Sequence, residues 1–145
     1  MNMRVRLSMM WLFAMLNYLY ADVMSLMDPQ GLKRVMTGQV GALHITPGFL
    51  LGAAVLMETA IAMVLFSRLL AHRVNRLANI GVGILHTAAV LMSLFTGNPA
   101  LYYIFFAAME IPCTILIVWF AWRWREETSS GFERKGLAAS AGGSR

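Results

Sequence analysis

Four ionisable side chains stand inside strongly apolar blocks of this sequence: Asp22, Glu58, His86 and Glu110. Each belongs to a different block, so four separate segments would have to bring them together. A charge at the centre of a bilayer costs about 2.5 to 3.5 kcal/mol on insertion scales, and such groups usually pair with one another or mark a pathway or site. Two or three carboxylates beside an imidazole, away from water, suit proton transfer, cation binding or general acid chemistry. Asn17, Tyr18 and Thr114 supply neutral polar groups near the same positions and are expected to support the ionisable ones.

The elements that would position them are membrane helices. Hydrophobic residues make up 59% of the 145, charged residues only 13%, and the charges fall mostly between the apolar blocks. A soluble domain carries about 25% charged residues. A helix needs about 20 apolar residues to cross a bilayer, and residues 6–27, 47–70, 74–95 and 99–124 meet that length. The expected fold class is therefore all-α, an integral membrane four-helix bundle. Thr46-Pro47 and Asn98-Pro99 each place a capping side chain before a proline suited to the first helical position. Asp28-Pro29 does the same for a short segment, 30–36, expected to lie on the membrane surface. The middle hairpin closes at Ala71-His72-Arg73.

Depth and facing agree with a shared layer. At 1.5 Å per residue, Glu58 and Glu110 each lie about 16 Å below the outer boundary. His86 and Asn17 fall at similar depth, and Asp22 about one and a half turns nearer the outside. Tyr103, Ala107, Glu110, Thr114 and Ala121 share a stripe of the fourth span; Asn79, Gly83, His86, Ala89 and Ser93 share one on the third. Ala14, Asn17, Tyr18, Ala21, Asp22 and Ser25 occupy an arc of about 140° on the first. On the second, Gly48, Gly52, Val55, Thr59 and Ala62 border Glu58. Small and polar residues on one stripe signal helix–helix contact, so all four stripes are expected to face one core. Pro112 frees the Ala108 carbonyl near Glu110.

Basic residues orient the bundle. With the N-terminus inside, ten Lys and Arg lie on the cytoplasmic side and only Lys33 and Arg34 outside, in keeping with the positive-inside bias. Both termini are thus expected in the cytoplasm, with one transmembrane domain over 1–125 and a disordered polar tail over 126–145. Trp11, Trp122 and Trp124 fit an inner aromatic belt, Tyr102 and Tyr103 an outer one. The first block is too long for a cleaved signal peptide. The basic residues form no face or run, which excludes nucleic acid as a partner; the lipid bilayer is the evident one. Cys113 reads as a buried thiol, and the twelve methionines as packing material. Glu58, Glu110 and His86 would make a mixed metal site of low specificity, without the Glu-x-x-His motif of di-iron bundles. Metal and cofactor content stay open, and His44, in the outer loop, has no partner visible in the sequence.

Three runs carry a resemblance: "LNYLYADVMSLMDP", "TPGFLLGAAVLMETAIAMVLFSR" and "LYYIFFAAMEIPCTILIVWFAWRW". They resemble an uncharacterised family of small four-helix bacterial membrane proteins, over nearly the whole chain as far as Trp124. The layout is also similar to DoxX-like proteins. The resemblance implies a bacterial inner-membrane protein of this fold and says nothing about substrate.

Three functions stay open. A small transporter subunit, loosely analogous to small multidrug exporters, would exchange protons for substrate at Glu58 and Glu110, with Asp22 as the outer approach and His86 as relay. Such exporters work as dimers, and Gly48 and Gly52 offer a GxxxG pair that could pack a helix of a second copy or one within the same subunit. A membrane-embedded enzyme would protonate a lipophilic substrate, in a small bundle analogous to the sterol-binding EXPERA proteins. A structural or accessory subunit would use the polar core only to specify packing.

Overall fold

A computed structural model describes residues 2–40, 43–96 and 99–124. Its elements run α1 (Met3–Met27), α2 (Pro29–Met36), β1 (Gln39–Val40), β2 (Leu43–His44), α3 (Pro47–Leu69), α4 (His72–Leu94) and α5 (Leu101–Arg123). The four long helices have the length and apolar character needed to cross a membrane, and they match the expected spans to within about one turn. The expected tail over 126–145 lies outside the described residues.

Local chemistry explains the boundaries. Asn2 caps α1 by accepting the Arg4 N–H at 3.1 Å. Asp28 closes α1 and opens α2, accepting the Gln30 N–H at 3.1 Å before a proline whose missing N–H costs nothing there. α2 folds tightly against the end of α1. A Cβ at Gly31 would collide with the Ser25 carbonyl, so only glycine permits that approach. Gly38, at φ 67°, turns the chain into the short antiparallel β1–β2 ladder. Thr46 then caps α3 through the Phe49 N–H at 3.1 Å.

The start of α5 departs from expectation. Its cap is Ala100, which offers no side-chain acceptor, and the helix begins at Leu101 rather than Pro99. Asn98 lies outside the described residues. The middle hairpin is also tighter than expected, because His72 already belongs to α4 and only Leu70 and Ala71 link the helices.

The helices form a ring in which α1 packs on α3 and α5, and α4 completes the circuit by packing on the same two. α1 and α4 are thus diagonal, and large side chains fill the space between them. Leu7, Trp11, Ala14 and Tyr18 meet Ala60, Met63, Val90, Ala107 and Ile117 in one core. α4 and α5 approach at Gly83, where a Cβ would stand 2.7 Å from Val118 Cγ2. Leu19, Leu51, Leu77, Ile84, Phe105 and Ile115 all point outward and exposed. A bilayer is the environment in which that apolar belt is stable, since a spanning helix satisfies nearly all of its backbone polar groups within itself. Trp11 is fully buried and is not the belt residue its position near the helix end suggested.

Candidate functional site

Polar groups inside the ring fall into two levels. The inner level is a closed hydrogen-bonded clamp. Trp11 Nε1 donates to Asn79 Oδ1 at 2.8 Å, and Ser67 Oγ donates to the same oxygen at 3.2 Å. Asn79 Nδ2 lies 2.8 Å from the Asn75 carbonyl and 2.7 Å from its Oδ1, while Asn75 Nδ2 donates to the Ser67 carbonyl at 2.7 Å. Asn75, Asn79 and Ser67 are fully buried. The clamp joins α1, α3 and α4, and Ser8 adds a bond from α1 to the Val64 carbonyl at 2.7 Å. No buried side-chain nitrogen or oxygen in it lacks a hydrogen-bond partner, as a stable buried network requires.

The level above is centred on His86. Its imidazole stacks on Tyr18, with ring centroids 5.3 Å apart, and meets the edge of Trp11 at 5.5 Å. Thr59 Oγ1 stands 3.0 Å from His86 Nε2 and 2.6 Å from the Leu56 carbonyl. A hydroxyl has one proton, and the Leu56 carbonyl can only accept it. His86 Nε2 therefore carries a hydrogen and donates to Thr59. Across the bundle, Thr87 Oγ1 lies 2.8 Å from Thr114 Oγ1, holding α4 to α5 one turn below Glu110.

Glu110 is buried, and its Oε1 has no hydrogen-bond partner among the described residues. The Tyr18 hydroxyl, also buried, likewise has none. The two groups are close enough to interact electrostatically, and Glu110 interacts with Asp22 in the same way. Nearer the outer end, Tyr103 donates to Ser93 Oγ at 2.6 Å, and Ser93 donates to the Val90 carbonyl at 2.7 Å. Above this pair a cavity of about 280 Å³ opens between α1, α2, α3, α4 and α5, lined by Ser25, Arg34, Phe49, Ser93, Tyr102 and Tyr103. Arg34 reaches Asp28 at 3.9 Å on its rim.

The apolar blocks, caps and stripes that build this arrangement extend over most of the chain, and so does its kinship. A model of a family of unknown function, DUF6326, matches residues 1–131. The chain belongs to that family. No curated protein and no solved structure matches it.

In this DUF6326 chain, Glu110, His86, Tyr18 and Thr114 point into the bundle together. Asp22 lies at the surface of α1, one turn above Tyr18, and is exposed, although it remains within electrostatic reach of Glu110. Asn17 is turned aside, its Nδ2 bonding the Phe13 carbonyl of its own helix at 2.8 Å. Glu58 corrects the expectation of one shared layer. It is exposed, and the buried face of α3 is formed by Ala60, Met63 and Ser67, a direction roughly 180° from Glu58 at 100° per residue. The mixed metal site of Glu58, Glu110 and His86 is therefore not assembled within one chain, and no group of three His, Cys, Asp or Glu that could hold a metal occurs among the described residues. Gly48 and Gly52 have open space around them rather than a packed helix. Pro112 and Ala108 are exposed, so the residue whose carbonyl is freed lies on the outer face of α5 and not with the buried Glu110. Tyr103 participates in the interior more than a belt residue would.

The clamp of Asn75, Ser67 and Ser8 escaped sequence reasoning. Asn75 lies one turn before Asn79 on the same stripe, and that spacing was the available signal.

Proposed function

We propose that this membrane protein binds a proton or a small, hydrogen-bonding cationic molecule at Glu110, with Tyr18 in electrostatic reach of it and His86 stacked on Tyr18. It would serve as a small transporter subunit of the bacterial inner membrane. The carrying observation is the buried, unpartnered Glu110 Oε1 within electrostatic reach of an equally unpartnered Tyr18 hydroxyl. A buried polar atom left unbonded costs about 1 to 3 kcal/mol, so a ligand that bonds both groups recovers what the folded chain alone gives up. Asp22 would form the approach from the outer cavity, and Thr114 would support the site from α5. Ten basic residues to two favour a topology with both termini in the cytoplasm, which makes the cavity above Tyr103 an outward-facing entrance.

A second reading has its own support. The buried side-chain nitrogens and oxygens of the inner clamp are bonded to one another or to backbone carbonyls, which opposes a polar path inward through them. A site reached from one side suits acid–base chemistry on a lipophilic molecule, with Glu110 as proton donor.

The test compares wild type with Glu110→Gln and Tyr18→Phe, each purified in mild detergent, by native mass spectrometry with metal analysis and by cation-driven proton flux in liposomes. Binding or flux in wild type that falls at least tenfold in both variants supports the site. Equal behaviour of all three proteins refutes it. A retained lipophilic molecule without flux selects the enzymatic reading.

A further inference from the structure

Glu58 is 11 residues from each end of α3, whose bounds are Pro47 and Leu69, placing it at the middle of a span about 35 Å long. It is exposed and points directly away from the buried stripe of Ala60, Met63 and Ser67. Carboxylates within spans almost always face a bundle interior, because hydrocarbon offers them no partner. The single chain leaves this one in contact with lipid. Leu51, Val55, Ile61, Leu65 and Leu69 surround it, all between 46% and 67% exposed.

Leu51, Glu58 and Leu65 recur every seven residues, with Ala54 and Ile61 between them, the pattern of a seam between two helices with a polar group at one central position. In a parallel pair related by a two-fold axis, each position meets itself. As a neutral acid, a carboxyl group has one O–H donor and a carbonyl acceptor, so two Glu58 side chains satisfy each other with reciprocal O–H···O bonds. No other ionisable residue of the described chain is both at mid-span and exposed. The ten-to-two distribution of basic residues opposes insertion in both orientations, which makes the pairing parallel.

We infer that two copies of this chain pair along the outward face of α3, with Glu58 of one copy hydrogen-bonded to Glu58 of the other at mid-membrane. The pairing is independent of the Glu110 site, since the two groups lie on different faces of the ring. Leu51 and Leu65 flank the pair above and below, and the small Ala54 lets the helices approach.

Three measurements on the full-length protein in liposomes decide it. Leu51→Cys and Leu65→Cys, each introduced singly, should form disulfide-linked dimers on mild oxidation. Leu77→Cys and Leu101→Cys, on exposed faces of α4 and α5, should not. Fluorescence transfer between labelled copies, followed on lipid dilution, should show Glu58→Leu dissociating about tenfold more readily than wild type, the effect of about one inter-helix hydrogen bond pair. Glu58→Gln, which keeps a donor and an acceptor, should stay near wild type. Because the substituted side chains are exposed, all variants should retain the wild-type helical circular dichroism. Cross-linking at the α3 positions no stronger than at the controls would overturn the pairing and assign this face to a different protein or to lipid. Equal dissociation of wild type and Glu58→Leu would also overturn it.

Discussion

Removing Asn79 tests whether the inner clamp holds the bundle together. In Asn79→Ala, Trp11 Nε1 loses its 2.8 Å acceptor, and the Ser67 hydroxyl loses its 3.2 Å one. Ser67 can turn to a carbonyl of its own helix one turn back, as hydroxyls in membrane helices do. The indole N–H has no such escape, because the tryptophan is fully buried among apolar side chains. An orphaned donor costs about 1 to 3 kcal/mol, whereas inter-helix hydrogen bonds in membranes average about 0.6 and reach about 1.7 kcal/mol. A destabilisation of about 2 kcal/mol is therefore expected once the small cavity is included. Trp11→Phe should lose less of its effect through polarity, because Asn79 Oδ1 keeps the Ser67 hydroxyl. Equilibrium unfolding in mixed dodecyl maltoside and SDS micelles, followed by far-ultraviolet circular dichroism, gives the four corners of a double-mutant cycle. The expected coupling between Trp11 and Asn79 is about 1 kcal/mol. A coupling indistinguishable from zero would refute the idea that this bond carries weight across the diagonal.

Other perturbations separate packing from function. Gly83→Ala gains helix propensity of about 1 kcal/mol but drives a methyl into Val118, so a net loss of about 1 kcal/mol in the same unfolding assay is expected. Gly31→Ala should undock α2 from the end of α1, seen as faster proteolysis between Met27 and Thr46 with the spans intact. Glu110→Leu should leave the bundle as stable as wild type or slightly more so, since it removes an unsatisfied buried acceptor, while abolishing any ligand retained by the wild type. Lower stability in Glu110→Leu would mean that the carboxyl has a structural partner and is not held open for a ligand.

Much of the architecture could be read before any coordinates, for a physical reason. Span length is set by bilayer thickness, and the caps at Asp28 and Thr46 act within three residues of themselves, so a local reading suffices. Facing was legible where several residues vote together: Asn79, Gly83 and His86 on α4, or Ala14, Tyr18 and Ala21 on α1, all of them buried. It failed on α3. That helix is apolar on all sides, so its periodicity carries little information, and the assumption that a lone carboxylate faces inward decided the reading alone. Ala60, Met63 and Ser67 are small or flexible enough to fit between α1 and α4, and their packing set the rotation instead. Trp11 shows the other limit, since its partner is 68 positions away on another helix and no spacing within either segment reveals the bond.

The two ends of the bundle are built differently, and this bears on motion. At one end a two-residue link joins α3 to α4 and the asparagine clamp ties α1 to both. At the other, α1 reaches α3 through α2 and a short ladder, and the cavity separates those connectors from the start of α5. Such a body behaves like tongs with a riveted handle: any breathing of the helices has its fulcrum at the clamped end and its greatest sweep at the cavity. Passage through the bundle, as a transporter requires, would then need the rivet itself to be drawn.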